Sequence, residues 1–129
     1  MFRRTLILIG ISAGLAGVLG CEKSPPSASD PALGRETLHS ALAAWKKGDS
    51  IDAYKQAVPS VTVVDKYWQK GSKLLDFELT GDGAPDGYDV QFKARLTTQE
   101  ADGKPSKKTA IFNVSTTPAL VIVRMEPGG

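Results

Sequence analysis

The spacing of apolar residues along the chain changes at Pro59. Before Pro59, apolar residues recur three and four positions apart on one helical face: Leu38, Ala41, Leu42 and Trp45. Asp30 is a good N-cap, Pro31 suits a first helical turn, and Gly48 is a good terminator. The spacing therefore predicts a first helix over residues 31–47. A second, short helix is predicted from Asp49 or Ser50 to about residue 58, where Pro59 stops it.

After Pro59 apolar and polar residues alternate, which is typical of half-buried strands. Strands are predicted over residues 61–64, 73–80, 88–97, 109–115 and 119–125. The residues predicted to face inward from the middle three are Leu75, Phe77, Leu79, Tyr88, Val90, Phe92, Ala94, Leu96, Ala110, Phe112 and Val114. Residues 119–125 are apolar on both faces, which predicts a central strand. The connections between strands are short and rich in turn residues. The fold class is therefore α+β: helices packed on an antiparallel meander of four to five strands.

The first residues have the layout of an export signal. Arg3 and Arg4 lie within a short cationic start, and residues 6–19 are uncharged and mostly apolar. That run is shorter than the roughly 20 residues that a membrane-spanning helix needs. We therefore expect residues 1–20 to be a signal peptide.

Val18-Leu19-Gly20-Cys21 resembles a lipobox, the recognition site of lipoprotein signal peptidase. The resemblance implies cleavage before Cys21 and a diacylglyceryl group on its sulfur; an ordinary signal peptide that happens to precede a cysteine is the alternative. Residues 21–29 are then a lipidated, Ser- and Pro-rich tether, and residues 30–129 are one domain. The membrane is the first expected partner. Because Glu22, and not Asp, follows the cysteine, we expect the periplasmic side of the outer membrane in a cell with two membranes.

The amino-acid composition reduces the number of partner classes that need to be considered. The chain has 16 basic and 14 acidic residues, and Arg3 and Arg4 account for the whole excess, so no basic surplus remains to attract nucleic acid. Lys104, Lys107 and Lys108 flank a turn, which favours a solvated loop. With one cysteine and a balanced charge, we expect a monomer whose domain has no disulfide.

A second resemblance concerns the domain itself. Ala43-Ala44-Trp45-Lys46-Lys47-Gly48-Asp49 is similar to the helix end and Gly-Asp turn of the nuclear transport factor two-like superfamily, and the order of helix and sheet also resembles the cystatin-like architecture. Both imply a helix lying on a curled antiparallel sheet. Such folds include enzymes, binding modules and assembly domains, so the resemblance does not choose a function.

Residues 78–89 resemble a calcium loop of the EF-hand or thrombospondin type, with Asp82, Asp86 and Asp89 as the candidate ligands. Calcium requires six to eight oxygens, and the twelfth position of an EF-hand loop is usually a bidentate Glu, whereas Asp89 stands here. A Gly-rich hairpin connection with solvated acids is the interpretation that we favour for this segment. We expect no metal site, or at most a weak one.

The placement of polar residues in the sequence gives little support for a catalytic site. His39 is the only histidine and lies off the apolar stripe of the first helix. Asp65 and Tyr67 suit either a cavity mouth or an ordinary polar turn, and Trp68 either plugs the sheet or forms an exposed patch.

We therefore expect no catalytic residue and no cofactor. The sequence predicts a small, lipid-anchored, non-catalytic envelope protein with a binding or structural role, whose further partner is an envelope protein or a small apolar ligand. The alternatives are a cavity enzyme of the isomerase or cyclase type and a calcium-stabilised adhesion or assembly module.

Overall fold

The computed structural model describes residues 28–100 and 102–125. The predicted signal peptide, Cys21 and most of the tether lie outside the described residues. Among the residues described, no helix is both long and apolar enough to cross a bilayer.

Two helices open the domain, as the sequence predicts. Helix α1 (Pro31–Lys47) begins where the Asp30 carboxylate accepts a 3.0 Å hydrogen bond from the Ala32 amide, and it ends at Gly48, whose φ is 109°. Helix α2 (Ile51–Ala57) begins where the Ser50 hydroxyl accepts a 3.0 Å bond from the Ala53 amide. Local capping chemistry thus sets both helix starts.

The five strands are β1 (Val61–Val64), β2 (Lys73–Asp86), β3 (Asp89–Gln99), β4 (Pro105–Ser115) and β5 (Leu120–Met125). They lie in the order β1-β5-β4-β3-β2. The meander prediction is confirmed for β2 to β5, which pair antiparallel with their chain neighbours. It is wrong for β1, which pairs parallel with β5 because the meander returns the chain beside its first strand. The sheet is therefore mixed, and β5 is an interior strand while β4 is the middle one.

A short third helix, α3 (Lys66–Gln69), follows β1 where only a turn is expected from the sequence. Asp65 starts it: one carboxylate oxygen accepts hydrogen bonds from the amides of Tyr67 (2.9 Å) and Trp68 (3.3 Å). Four residues are too few for an apolar period, so the pattern gives no signal of this helix.

Side chains fill the space between α1 and the sheet. The largest apolar residues that are almost fully buried come from both layers: Phe92, Phe112, Leu38, Leu42, Leu96, Ile122 and Val114. At Gly34 a Cβ would lie 3.4 Å from the Phe92 ring, so the backbone of α1 approaches the sheet closely. The helix–sheet interior is a packed core.

Two of the predicted inward positions are wrong. A bulge in β2 between Leu74 and Asp76 shifts the register by one residue, so Leu74 is buried and Leu75 is 42% exposed. Tyr88 lies in the two-residue turn between β2 and β3 and is 60% exposed. From Val90 onward the predicted inward faces of β3 and β4 are buried.

The chain enters the domain at one end of the sheet. Ser29 is buried; its amide donates to the Tyr88 carbonyl, and its hydroxyl accepts from the Thr116 amide, both at 2.8 Å. The Asp30 amide donates to the Thr116 hydroxyl at 2.8 Å. We call this the proximal end. The distal end, formed by the C-terminal end of α1, by α3 and by the start of β2, lies about 25 Å away along α1.

Candidate binding surface at the distal end

A buried ion pair joins α3 to β5 at the distal end. Asp65 Oδ2 accepts hydrogen bonds from Nε (3.3 Å) and Nη2 (3.2 Å) of Arg124, and the two side chains are only 1% and 5% exposed. Because the other carboxylate oxygen accepts the two α3 amides, both oxygens of Asp65 are occupied. Asp65 therefore holds the fold together and does not face a cavity mouth.

Aromatic rings surround the guanidinium of Arg124. Its Cζ lies 4.6 Å from the centroid of the Tyr67 ring, 5.2 Å from that of Phe112 and 6.0 Å from that of Trp45. A guanidinium stacks well on such rings, which helps to explain a charge on the covered face of the sheet. The sequence pattern missed this residue because residues 119–125 look like an apolar strand; the single charge in that strand is the signal that could have revealed the pair.

Two tryptophans hold the loops of the distal end together by stacking and by hydrogen bonds. The rings of Trp45 and Trp68 stack with centroids 5.6 Å apart and an interplanar angle of 13°. The Trp45 indole donates to the Ser72 carbonyl and the Trp68 indole to the Asp49 carbonyl, each at 2.7 Å. Both rings are buried, so Trp68 closes the end of the sheet and does not form an exposed patch.

A groove of about 690 Å³ lies beside Trp45 and Trp68. The two tryptophans form part of its wall, and Val64 (51% exposed) and Leu75 (42% exposed) present apolar side chains to it. Its charged lining residues are Lys46, Lys47, Asp49, Asp52 and Lys73. Ion pairs of 3.4 Å (Lys46 to Asp76) and 3.9 Å (Lys47 to Asp49) partly neutralise these charges. The volume is in the range of small-molecule sites.

The three candidate calcium ligands do not form one group. Asp82 lies in an irregular part of β2, while Asp86 and Asp89 face each other as the last pair of the β2–β3 ladder. Asp86 Oδ2 accepts a 2.7 Å hydrogen bond from the Asn113 amide nitrogen, Nδ2. In the described parts of the chain, no three His, Cys, Asp or Glu residues are grouped as a metal site. The segment that resembles a calcium loop is mostly strand.

The remaining sequence candidates are also dispersed. His39 is exposed on α1, and the centroid of its ring lies 5.2 Å from that of the Phe77 ring in an edge-to-face arrangement. Cys21 lies outside the described residues.

Comparisons of the chain with protein-family models, with curated proteins and with solved structures found no match. Any proposal about function therefore depends on the residues of this chain and on their geometry.

Proposed function

We propose that this chain is a lipid-anchored, non-catalytic binding protein of the cell envelope, and that its distal groove takes a small, largely apolar molecule. The observation that carries the proposal is the groove itself: exposed Val64 and Leu75 line a concave surface at the end of the domain opposite to Ser29. Apolar side chains that converge on a groove of this size favour ligand binding.

The packed interior supports a non-catalytic role. A cavity enzyme of this shape would require a free acid, base or nucleophile that faces the helix–sheet interior. Phe92, Phe112 and their neighbours fill that space. The buried carboxylate of Asp65 is occupied by Arg124 and by the start of α3, which leaves neither oxygen free for proton transfer.

The N-terminal sequence supports the proposal of a lipid anchor on Cys21. Val18-Leu19-Gly20-Cys21 satisfies each position of a lipobox, and two or three acyl chains hold a protein on a bilayer where one does not. Because Ser29 is fixed at the proximal end, a lipid on Cys21 would attach the domain to the membrane by the end opposite to the groove. We further propose that the domain is of the nuclear transport factor two-like or cystatin-like kind, since its helices precede a sheet that is largely antiparallel.

We expect Cys21→Ser to abolish membrane anchoring, because serine has no thiol to receive the diacylglyceryl group. Carbonate washing of membranes, followed by mass spectrometry of the protein, tests this. Ser27→Ala, a change in the same tether, is the matched control and should remain in the membrane fraction with the lipid mass. If the Cys21→Ser protein carries no lipid and still resists carbonate washing, the anchoring proposal is wrong.

We expect Leu75→Gln to weaken binding of a neutral apolar fluorophore, N-phenyl-1-naphthylamine, by about fivefold, since the substitution removes roughly half of a leucine contact. Fluorescence titration measures the affinity, and energy transfer from the tryptophans places the probe near the groove. Leu33→Gln is the matched control, because Leu33 is similarly exposed (39%) but lies at the proximal end of α1. Equal losses in the two variants, or no saturable binding, would count against the groove.

A further inference from the structure

Two large apolar side chains are exposed at the proximal end, where neither the core nor the groove uses them. Tyr88, in the turn between β2 and β3, is 60% exposed, and Leu33, in the first turn of α1, is 39% exposed. The other large apolar side chains that are exposed among the described residues are Val64 and Leu75 at the groove and Met125 at the end of β5. The proximal end therefore has an apolar surface of its own.

The chain enters the domain beside both side chains. The Ser29 amide donates a 2.8 Å hydrogen bond to the carbonyl of Tyr88, and Leu33 follows Ser29 by four residues. Ser29 is buried, and its hydroxyl also accepts a hydrogen bond from the Thr116 amide, so the point of entry is fixed on the domain. Any anchor on Cys21 thus holds the domain by this end.

The distance between Cys21 and Ser29 along the chain limits how far the proximal end can lie from an anchored sulfur. Eight residues span at most about 29 Å when fully extended, and a relaxed chain of that length spans about 16 Å. A lipid on Cys21 would therefore keep Leu33 and Tyr88 within reach of the bilayer surface. Because such a short tether gives a high effective concentration, weak contacts are enough for docking.

We propose that the proximal end docks on the interface of a zwitterionic phospholipid bilayer through Tyr88 and Leu33. The proposal rests on the lipid anchor on Cys21 that is proposed above. Tyrosine suits a bilayer interface because its ring is apolar while its hydroxyl stays hydrated, and leucine adds apolar area that the bilayer can bury. The docked domain would present its groove to the solvent, about 25 Å along α1 from the bilayer surface.

The charges near these side chains favour a bilayer without net charge. Four acids and one base lie within four residues of Leu33 or Tyr88 in the chain: Asp30, Glu36, Asp86 and Asp89, and Arg35. A layer of anionic headgroups would repel this end at low salt, whereas a zwitterionic layer would not. The proposed contact is therefore apolar and not electrostatic.

Fluorescence quenching by nitroxide-labelled lipid tests the contact. The full lipidated protein is reconstituted in phosphatidylcholine vesicles in which some lipids carry a nitroxide near the headgroup end of one acyl chain. Because Cys21 is the only cysteine and its sulfur carries the lipid, Ala32→Cys at the proximal end and Gln69→Cys at the distal end each place one fluorophore at an exposed position. We expect the label at position 32 to be quenched at least about threefold more strongly, since docking brings it to within about 5–10 Å of the acyl boundary.

Tyr88→Ser and Leu33→Gln should each lower the quenching at position 32 by about twofold or more, because each removes part of the apolar area that docking buries. Met125→Gln is the matched control, since Met125 is similarly exposed (38%) but follows Arg124 at the distal end, and it should leave the quenching unchanged. Phosphatidylglycerol added to the vesicles at low salt should lower the quenching, because it repels the acids of the proximal end.

Vesicle flotation and mass spectrometry of each variant report on the anchor separately. A lipidated protein that floats with the vesicles but is quenched equally at positions 32 and 69 would overturn the docking and leave the anchor in place, whereas a protein without lipid on Cys21 would overturn both. Equal losses in Tyr88→Ser and Met125→Gln would remove the contact from the proximal side chains. Quenching that rises with phosphatidylglycerol would assign the contact to a basic surface, and energy transfer between proximal labels without quenching would assign this end to a contact between two copies.

Discussion

Asp65→Asn is expected to lower the free energy of unfolding by about 3 kcal/mol, the lower part of the range for removing one partner of a buried ion pair. Asparagine keeps the shape of the side chain and is itself a good N-cap, so α3 should still begin at residue 65. The free energy of unfolding falls because of the other member of the ion pair, Arg124. The guanidinium of Arg124 would stay buried among Tyr67, Phe112 and Trp45 without a negative charge.

Urea denaturation followed by tryptophan fluorescence measures this loss, since Trp45 and Trp68 lie next to the pair. Asp76→Asn is the matched control: it breaks an exposed ion pair with Lys46 and should cost less than about 1 kcal/mol. The double variant Asp65→Asn, Arg124→Met removes both charges and should be more stable than Asp65→Asn alone. A loss below 1 kcal/mol for Asp65→Asn, or a double variant less stable than the single one, would show that the pair does not stabilise the distal end as argued.

The parts of the fold that were predictable from the sequence have local causes. Asp30, Ser50 and Gly48 bind the backbone of their own helices, so their positions alone mark where α1 and α2 begin and where α1 ends. Strict alternation from Val90 to Leu96 fixes which side of β3 is buried, because one face meets α1. Contacts between residues that are close together in the chain leave a clear pattern in the sequence.

The parts that were not predictable depend on contacts between distant residues. The parallel pairing of β1 with β5 joins Val61 to Leu120, and no local pattern distinguishes it from antiparallel pairing. The same holds for the distal site, where Asp65 contacts Arg124 and Tyr67 contacts Lys108 although the partners lie far apart in the sequence. The sequence interpretation of Lys107 and Lys108 as part of a solvated loop is correct about their exposure but wrong about the loop, since both lie in β4. It also misses the contact of Lys108 with Tyr67.

The resemblance of residues 78–89 to a calcium loop rests on a local pattern, and the structure gives Gly83 a different explanation. In a calcium loop the sixth-position glycine, Gly83 here, permits a sharp turn around the ion. In this domain Gly83 has a φ of 94° and lies in the irregular part of β2 between Thr80 and Ala84. Its Cα faces the core: a Cβ there would lie 2.7 Å from the Phe92 ring and 2.7 Å from a Val90 methyl.

Gly83→Ala is therefore expected to destabilise the domain by about 2–4 kcal/mol, from a left-handed backbone that disfavours alanine together with an overpacked contact on Phe92. Gly81→Ala is the matched control: its φ is 80°, but a Cβ there meets nothing within 4 Å, so only the backbone cost should appear. Urea denaturation of both variants separates the two causes. In the Phe92→Leu background the additional loss from Gly83→Ala should shrink, because the smaller side chain leaves room for the methyl group. Equal losses at the two glycines would show that Phe92 does not restrict position 83, whereas a loss at Gly83 that calcium reverses would restore the metal-loop interpretation.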